Sequence, residues 1–283
     1  MLNMEEEKKS RVLVIGATGR LGHYLTRFSI QSGHPTFALI RNSTFSDPSK
    51  SANLESLLRR RHSPQSLFLS PSTSLIKLKG SLDDEASLEE AVSKVDVVIS
   101  AIPSKHVLDQ TLLINVIKRT PPSRSDKTQV SDLDHGFYSK KSEIRRLVES
   151  SNIPYTCFVN EVDAAAFTIK TIDDPRTLNK TLYLRPSGNV CSMNDLVEMW
   201  EGKIEKKLVK TLLLRVNFEK IKETPYPDDM EMVFIYSVFI KGHHTYFEID
   251  ESCGGVNGTE LYPDVKYMTV SEFLDTFSRI VTK

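Results

Sequence analysis

The sequence predicts an α/β protein: a doubly wound parallel sheet with a smaller C-terminal α/β lobe. Three observations carry this. The run "RVLVIG" (Arg11 to Gly16) is almost continuously apolar, as a parallel strand buried on both faces requires. Strand and helix patterns then alternate up to Ile102, and repeated βαβ units with right-handed crossovers make a parallel sheet. Three glycines, Gly16, Gly19 and Gly22, fall at the junction of the first strand and the first helix.

Each element has its own signature. In "GATGRLGHYLTRFSIQSG" the apolar residues Leu21, Leu25 and Phe28 recur at helical spacing, and Gly33 ends the helix. A strand follows in "TFALIR" (Thr36 to Arg41), then a helix within "SANLESLLRRR" and a strand in "SLIKLKG". Ser87 and Glu90 stand at capping-box spacing, which starts a helix over "SLEEAVSKV". The apolar strand "VDVVISAI" ends near Ile102.

After Lys118 another strand is due, but "TPPSRSDKTQVSDLDHG" has neither apolar alternation nor β-branched density, and Pro121 and Pro122 obstruct a sheet interior. It reads as a loop. "IPYTCFV" (Ile153 to Val159) is the next strand, and it is expected to slide beside "VDVVISAI", because an open central edge leaves backbone groups unpaired. Beyond it come a helix in "AAAFTIKTIDD", a strand in "TLYLRP" and a helix in "SMNDLVEMWEGKI". Ser192 caps the last, with Asp195 in its first turn and Leu196, Met199 and Trp200 on one face. The predicted divisions are a disordered leader over 1–10, a coenzyme-binding domain over 11–160 and a smaller lobe over 161–283.

Composition narrows the function. Lys+Arg and Asp+Glu are both 37, so no net field draws in nucleic acid or an anionic membrane. The expected partner is a small molecule. No apolar run reaches the length of a membrane span, and the N-terminus lacks a signal-peptide core, so a cytoplasmic protein is expected. Cys157, Cys191 and Cys253 are scattered without the close pairs of metal sites, and His243, His244 and Tyr246 lack metal spacing, so no metal is assigned.

The glycine pattern is the strongest functional signal. G-x-x-G-x-x-G between strand and helix is the dinucleotide-binding context of the Rossmann-type fold. Gly16 permits the tight turn, Gly19 lets backbone amides approach a pyrophosphate, and Gly22 allows close packing of helix and strand. Thr18, Arg20 and Leu21 lie in the same turn, whose helix N-terminus favours an anion. The second strand ends at Arg41 rather than an acid, which favours the 2′-phosphate of NADP(H), with Lys50 a candidate second charge.

The segments "VLVIGATGRLGHYL", "SGHPTFALIR", "VDVVISAIPSKHVLDQ", "IPYTCFV", "TIKTIDDPRTLNKTLYLRP" and "TELYPDVKYMTVSEFLD" resemble the plant isoflavone-reductase-like group. That group comprises the phenylcoumaran benzylic ether, pinoresinol–lariciresinol and isoflavone reductases and eugenol synthase, within the NmrA-like atypical short-chain dehydrogenases. The resemblance runs from Arg11 to the C-terminus. It implies an NADPH-dependent reductase, monomer or homodimer, whose second lobe closes over a small aromatic phenylpropanoid substrate.

The group's catalytic lysine stands in a helix of the form F-x-x-K-x-x-I-R. In "YSKKSEIRR" the resemblance assigns that role to Lys141, four residues ahead of Arg145. Burial lowers a lysine from ~10.4 toward values useful in proton transfer; the bland alternative makes Lys140 and Lys141 surface lysines. Tyr138 is three residues from Lys141 rather than the four of the common Y-x-x-x-K pair. Phe234, Tyr236 and Phe239 in "MEMVFIYSVFIKG" are candidate aromatic contacts, or ordinary helix packing.

Two departures from the group stand out. None of the letters of its F-x-P-S/A-E-F/Y-G strand follows Arg119, and Val159 passes through "NEVD" straight into a helix that the group has later. These read as two internal deletions in the substrate-facing wall, which leave the adenosine half of the site better preserved than the hydride-transfer half. A non-catalytic NADP-binding sensor or inactive relative is therefore the rival reading.

Overall fold

The structure, a computed structural model, describes residues 9–58, 75–119, 138–151, 153–159, 164–209, 248–249 and 255–281. The first half runs β1 (Val12–Ile15), α1 (Arg20–Gln31), β2 (Thr36–Ile40), α2 (Pro48–Leu58), β3 (Leu75–Lys79), α3 (Glu85–Val92), β4 (Val97–Ser100), α4 (Gln110–Arg119). The second runs α5 (Tyr138–Ser150), β5 (Thr156–Val159), α6 (Ala164–Thr171), β6 (Lys180–Tyr183), α7 (Met193–Ile204), β7 (Gly255–Asn257) and α8 (Val270–Val281).

The first four strands form one parallel sheet in the order β3-β2-β1-β4, with Val12 opposite both Thr36 and Val97. Strand β1 is therefore central, which is why its four residues are all buried. Alternate side chains feed two apolar layers. Leu13, Ile15 and Val98 join Leu88, Leu113, Ile114, Ile144 and Val148 from α3, α4 and α5. Val12, Val14 and Ile99 join Leu25, Leu54, Ala165 and Ile169 from α1, α2 and α6. Helices thus cover both faces, as a parallel sheet requires.

Arg11 fixes where β1 and β4 begin. Its backbone N–H donates to Asp96 Oδ2 at 2.8 Å, its guanidinium grips both carboxylate oxygens at 3.0 and 3.1 Å, and its carbonyl accepts from the N–H groups of Asp96 and Val97.

Three expectations are corrected. Strand β5 does not join β4: it pairs in parallel with β6, which pairs with β7 in a second three-stranded sheet. At the start of this pairing Asn179 adopts a left-handed backbone (φ 56°), donates its N–H to Tyr155 O at 2.7 Å and accepts the Tyr155 N–H on Oδ1 at 3.2 Å. That clasp seats the start of β5 on β6. Helix α3 begins at Glu85, because Asp84 accepts the Ser87 N–H, so Ser87 lies inside the helix and does not cap it. Helix α2 begins at Pro48, earlier than "SANLESLLRRR", with Asp47 accepting the N–H groups of Ser49 and Lys50.

Ser10, assigned to the leader by the sequence, is buried: its hydroxyl meets Asp173 Oδ1 at 2.6 Å and its carbonyl meets the buried His34 ring at 3.0 Å. Burial pushes the His34 pKa down. Helix α6 packs on α1 and belongs to the core of the first sheet as much as to the lobe. Ser192 caps α7, as the sequence predicts, and Asp195 answers it to complete a capping box. The segment 120–137, the residues 160–163, Phe234, Tyr236, Phe239, His243, His244, Tyr246 and Cys253 lie outside the described residues. No described helix is long and apolar enough to cross a membrane, and no cluster of metal-ligating side chains occurs among the described residues.

Candidate functional site

The turn between β1 and α1 is built by two glycines that packing explains and one that packing does not. Gly16 has φ +82°, and a Cβ on it would stand 2.2 Å from Ala101 O at the end of β4. A Cβ on Gly22 would stand 2.0 Å from Gly16 O, so the first turn of α1 lies directly on the strand end. A Cβ on Gly19 would meet only Gly16 O, at 3.2 Å, and would otherwise point into open space. What Gly19 keeps clear is room above the turn.

That room is a cavity of about 460 Å³. Thr18, Gly19, Arg20, His23 and Tyr24 line it from the turn and α1; Asp47, Ser49, Lys50 and Asn53 line it from the start of α2. Gly19 is the N-cap of α1 and no side chain caps that helix, so its first N–H groups and its positive dipole end face the same space. The Asn53 amide donates to Thr18 O at 3.0 Å and ties α2 to the turn. Lys50 Nζ pairs with Asp47 Oδ2 at 2.7 Å, and this bond holds the Asp47 carboxyl below its usual range. Burial first, then the nearby Arg27, lowers the His23 pKa, so the ring is neutral near pH 7; its Nδ1 is buried without a partner.

Of the residues singled out in the sequence, Thr18, Gly19, Arg20 and Lys50 come together around this cavity. Gly16 and Gly22 shape it from beneath. Leu21 turns away into the apolar layers, and Arg41 is exposed, does not line the cavity and lies within electrostatic reach of Asp83. Lys141 sits in α5 one turn before Arg145, whose guanidinium bonds Thr181 Oγ1 on β6 and Glu149. The side chains of residues 138–142, including Tyr138 and Lys141, lie outside the described residues. Sequence reasoning missed His23, Tyr24, Asp47, Ser49 and Asn53. The signal was there: Asp47-Pro48 is an N-cap followed by proline at the first helical position, and a helix started there puts Lys50 and Asn53 on one face.

A parallel sheet wrapped by helices, with a glycine turn opening onto a basic cavity at its strand ends, defines a dinucleotide-binding α/β protein. The chain belongs to the NmrA-like family, whose model matches residues 8–161 and 156–274. It is 62% identical to the Arabidopsis thaliana protein described as "probable pinoresinol-lariciresinol reductase 3", over 96% of this chain and 99% of that one. That alignment runs over 321 positions, more than the 283 residues present here, so some of its positions have no counterpart in this chain. Among solved structures, a leucoanthocyanidin reductase with NADPH from Vitis vinifera matches with TM-score 0.79 at 26% identity, over 95% of this chain and 99% of that one. A structure described as "AtPrR2 with NADP+ and (+)pinoresinol" matches with TM-score 0.76 at 26% identity, over 95% of this chain and 99% of that one.

Proposed function

We infer that the chain is an NADPH-dependent reductase that passes hydride to an electron-poor benzylic or conjugated carbon of an aromatic phenylpropanoid, lignan or isoflavonoid substrate. The single observation that carries it is the open space above Gly19, beside an uncapped helix N-terminus and the Lys50 ammonium. The donors fit the coenzyme. Backbone N–H groups at the start of α1 suit the pyrophosphate, and Arg41 at the end of β2 with Lys50 on α2 are the cations proposed for a 2′-phosphate, Arg20 lying in the glycine turn. The relatives described as pinoresinol-lariciresinol and leucoanthocyanidin reductases support the substrate class.

Bound there, NADPH would supply the hydride. The chain's part is to hold the coenzyme, frame the substrate and move one proton, the last assigned to Lys141 as the base that takes the phenolic proton. Arg145 anchors α5 to β6, which fixes the backbone that carries Lys141.

The second part of the reading is a shortened substrate wall. The surplus of alignment positions supports it, as does the break between β4 and β5, with no ladder joining them among the described residues. Coenzyme binding should thus be better preserved than turnover. A monomer or homodimer acting in the cytoplasm completes the proposal.

Fluorescence titration with NADPH, followed by coenzyme-consumption assays on a panel of phenolic substrates, tests it. Saturable binding with turnover on at least one substrate is expected, and Lys141→Met should keep the binding while losing most of the turnover. Absence of NADPH binding by folded protein overturns the reading. Binding without any turnover moves the chain to the sensor class.

A further inference from the structure

The cavity holds an acid as well as bases, and the acid is the less expected occupant of a site for a phosphorylated coenzyme. Asp47 Oδ2 lies 2.7 Å from Lys50 Nζ. Its other oxygen accepts the N–H groups of Ser49 at 3.0 Å and Lys50 at 3.1 Å, which makes Asp47 the N-cap of α2. The two tasks together fix the carboxylate. It cannot swing aside when an anion arrives without surrendering the cap.

We propose that Asp47 sets the coenzyme preference of this site, by engaging Lys50 in an ion pair that an incoming 2′-phosphate must break. The inference rests on the reading of the cavity as the coenzyme site. A 2′-phosphate dianion gains the Lys50 ammonium only by taking it from Asp47, and it then faces a carboxylate pinned close by. A free 2′-hydroxyl meets the reverse situation, since it can donate to Asp47 and leaves the ion pair intact. Asp47 therefore opposes the phosphorylated coenzyme and tolerates the other. It narrows the discrimination that Lys50 would otherwise impose.

Asp47→Asn separates charge from capping, because asparagine caps helices as well as aspartate does. Asp47→Ser is a second neutral capping variant, and Asp47→Glu retains the charge. Dissociation constants for NADPH and NADH would be measured by calorimetry on the full chain, with melting temperature as the check on folding. Both neutral variants are expected to bind NADPH about fivefold more tightly, the scale of an exposed ion pair, and NADH no more tightly than before. Asp47→Glu keeps the charge but not the cap that pins it, so its NADPH/NADH ratio should fall between those of the parent and the neutral variants. The proposal is overturned if the neutral variants leave the NADPH/NADH ratio unchanged or weaken NADPH selectively. If the parent chain binds neither coenzyme, the coenzyme-site reading itself falls and this inference falls with it, so the two failures are told apart by the parent chain alone.

Discussion

At the scale of single residues, three glycines that look alike in the sequence separate cleanly by what surrounds them. A methyl group on Gly22 would collide with the Gly16 carbonyl, whereas one on Gly19 meets little protein. Gly22→Ala should therefore lower the melting temperature markedly, by an amount worth several kcal/mol, because the close approach is backbone to backbone. Gly19→Ala should melt within a degree or two of the parent but lose NADPH affinity by about tenfold or more, the methyl standing where the pyrophosphate must come. Parallel melting curves and titrations check both; equal effects on stability would refute the division of labour. The sequence made the glycine turn legible because spacing and context are local. The two candidate phosphate cations differ in how they are placed: Lys50 is carried to the cavity by a helix that starts at Pro48, whereas Arg41, directly after β2, is exposed and does not line it.

Elements were legible where periodicity and caps agree. Helix α7 is the clearest case, because Ser192 and Asp195 exchange hydrogen bonds at 2.8 and 3.1 Å, as their spacing predicts. Ser192→Ala should cost about 1 kcal/mol of stability, measurable by denaturant titration, with coenzyme affinity unchanged. A loss of coenzyme affinity would instead place α7 in contact with the site. Helix α3 shows how the same logic misleads: Ser87 and Glu90 have the spacing of a capping box, but Asp84 lies three residues earlier and captures the Ser87 N–H first. Two overlapping cap signals cannot be ranked without the preceding backbone. The pairing of β5 was illegible for a different reason. It depends on Asn179, 24 residues from Tyr155 along the chain, taking a left-handed conformation that nothing local announces.

At the scale of the molecule, the second lobe is locked by a polar knot. The Tyr262 hydroxyl donates to Asp174 Oδ2 at 2.8 Å, Arg176 pairs with the same oxygen at 2.6 Å, and the guanidinium lies 5.7 Å over the Tyr262 ring. The Arg176 hydrogen bond, against a smaller opposing effect of burial and with help from Tyr262, lowers the Asp174 pKa to about 2; burial pushes the Tyr262 phenol well above its ordinary value. A carboxyl whose pKa falls on folding stabilises the folded state fully above its ordinary pKa of 3.8 and loses that contribution as pH drops toward about 2. Asp174→Asn should thus flatten the acid limb of the stability curve between about pH 4 and pH 2, as read by denaturation at stepped pH. An acid limb identical to the parent's would show that the knot contributes nothing.

Helix α6 lies beyond the last strand of the conventional coenzyme-binding half, yet Ala165, Ile169 and Ile172 seal the layer beneath β1 and β4. Amputation of the chain after Val159 would strip that lid from Val12, Val14 and Ile99 and turn interior into surface. The piece that grips the coenzyme is consequently not detachable: it borrows its floor from the piece that follows.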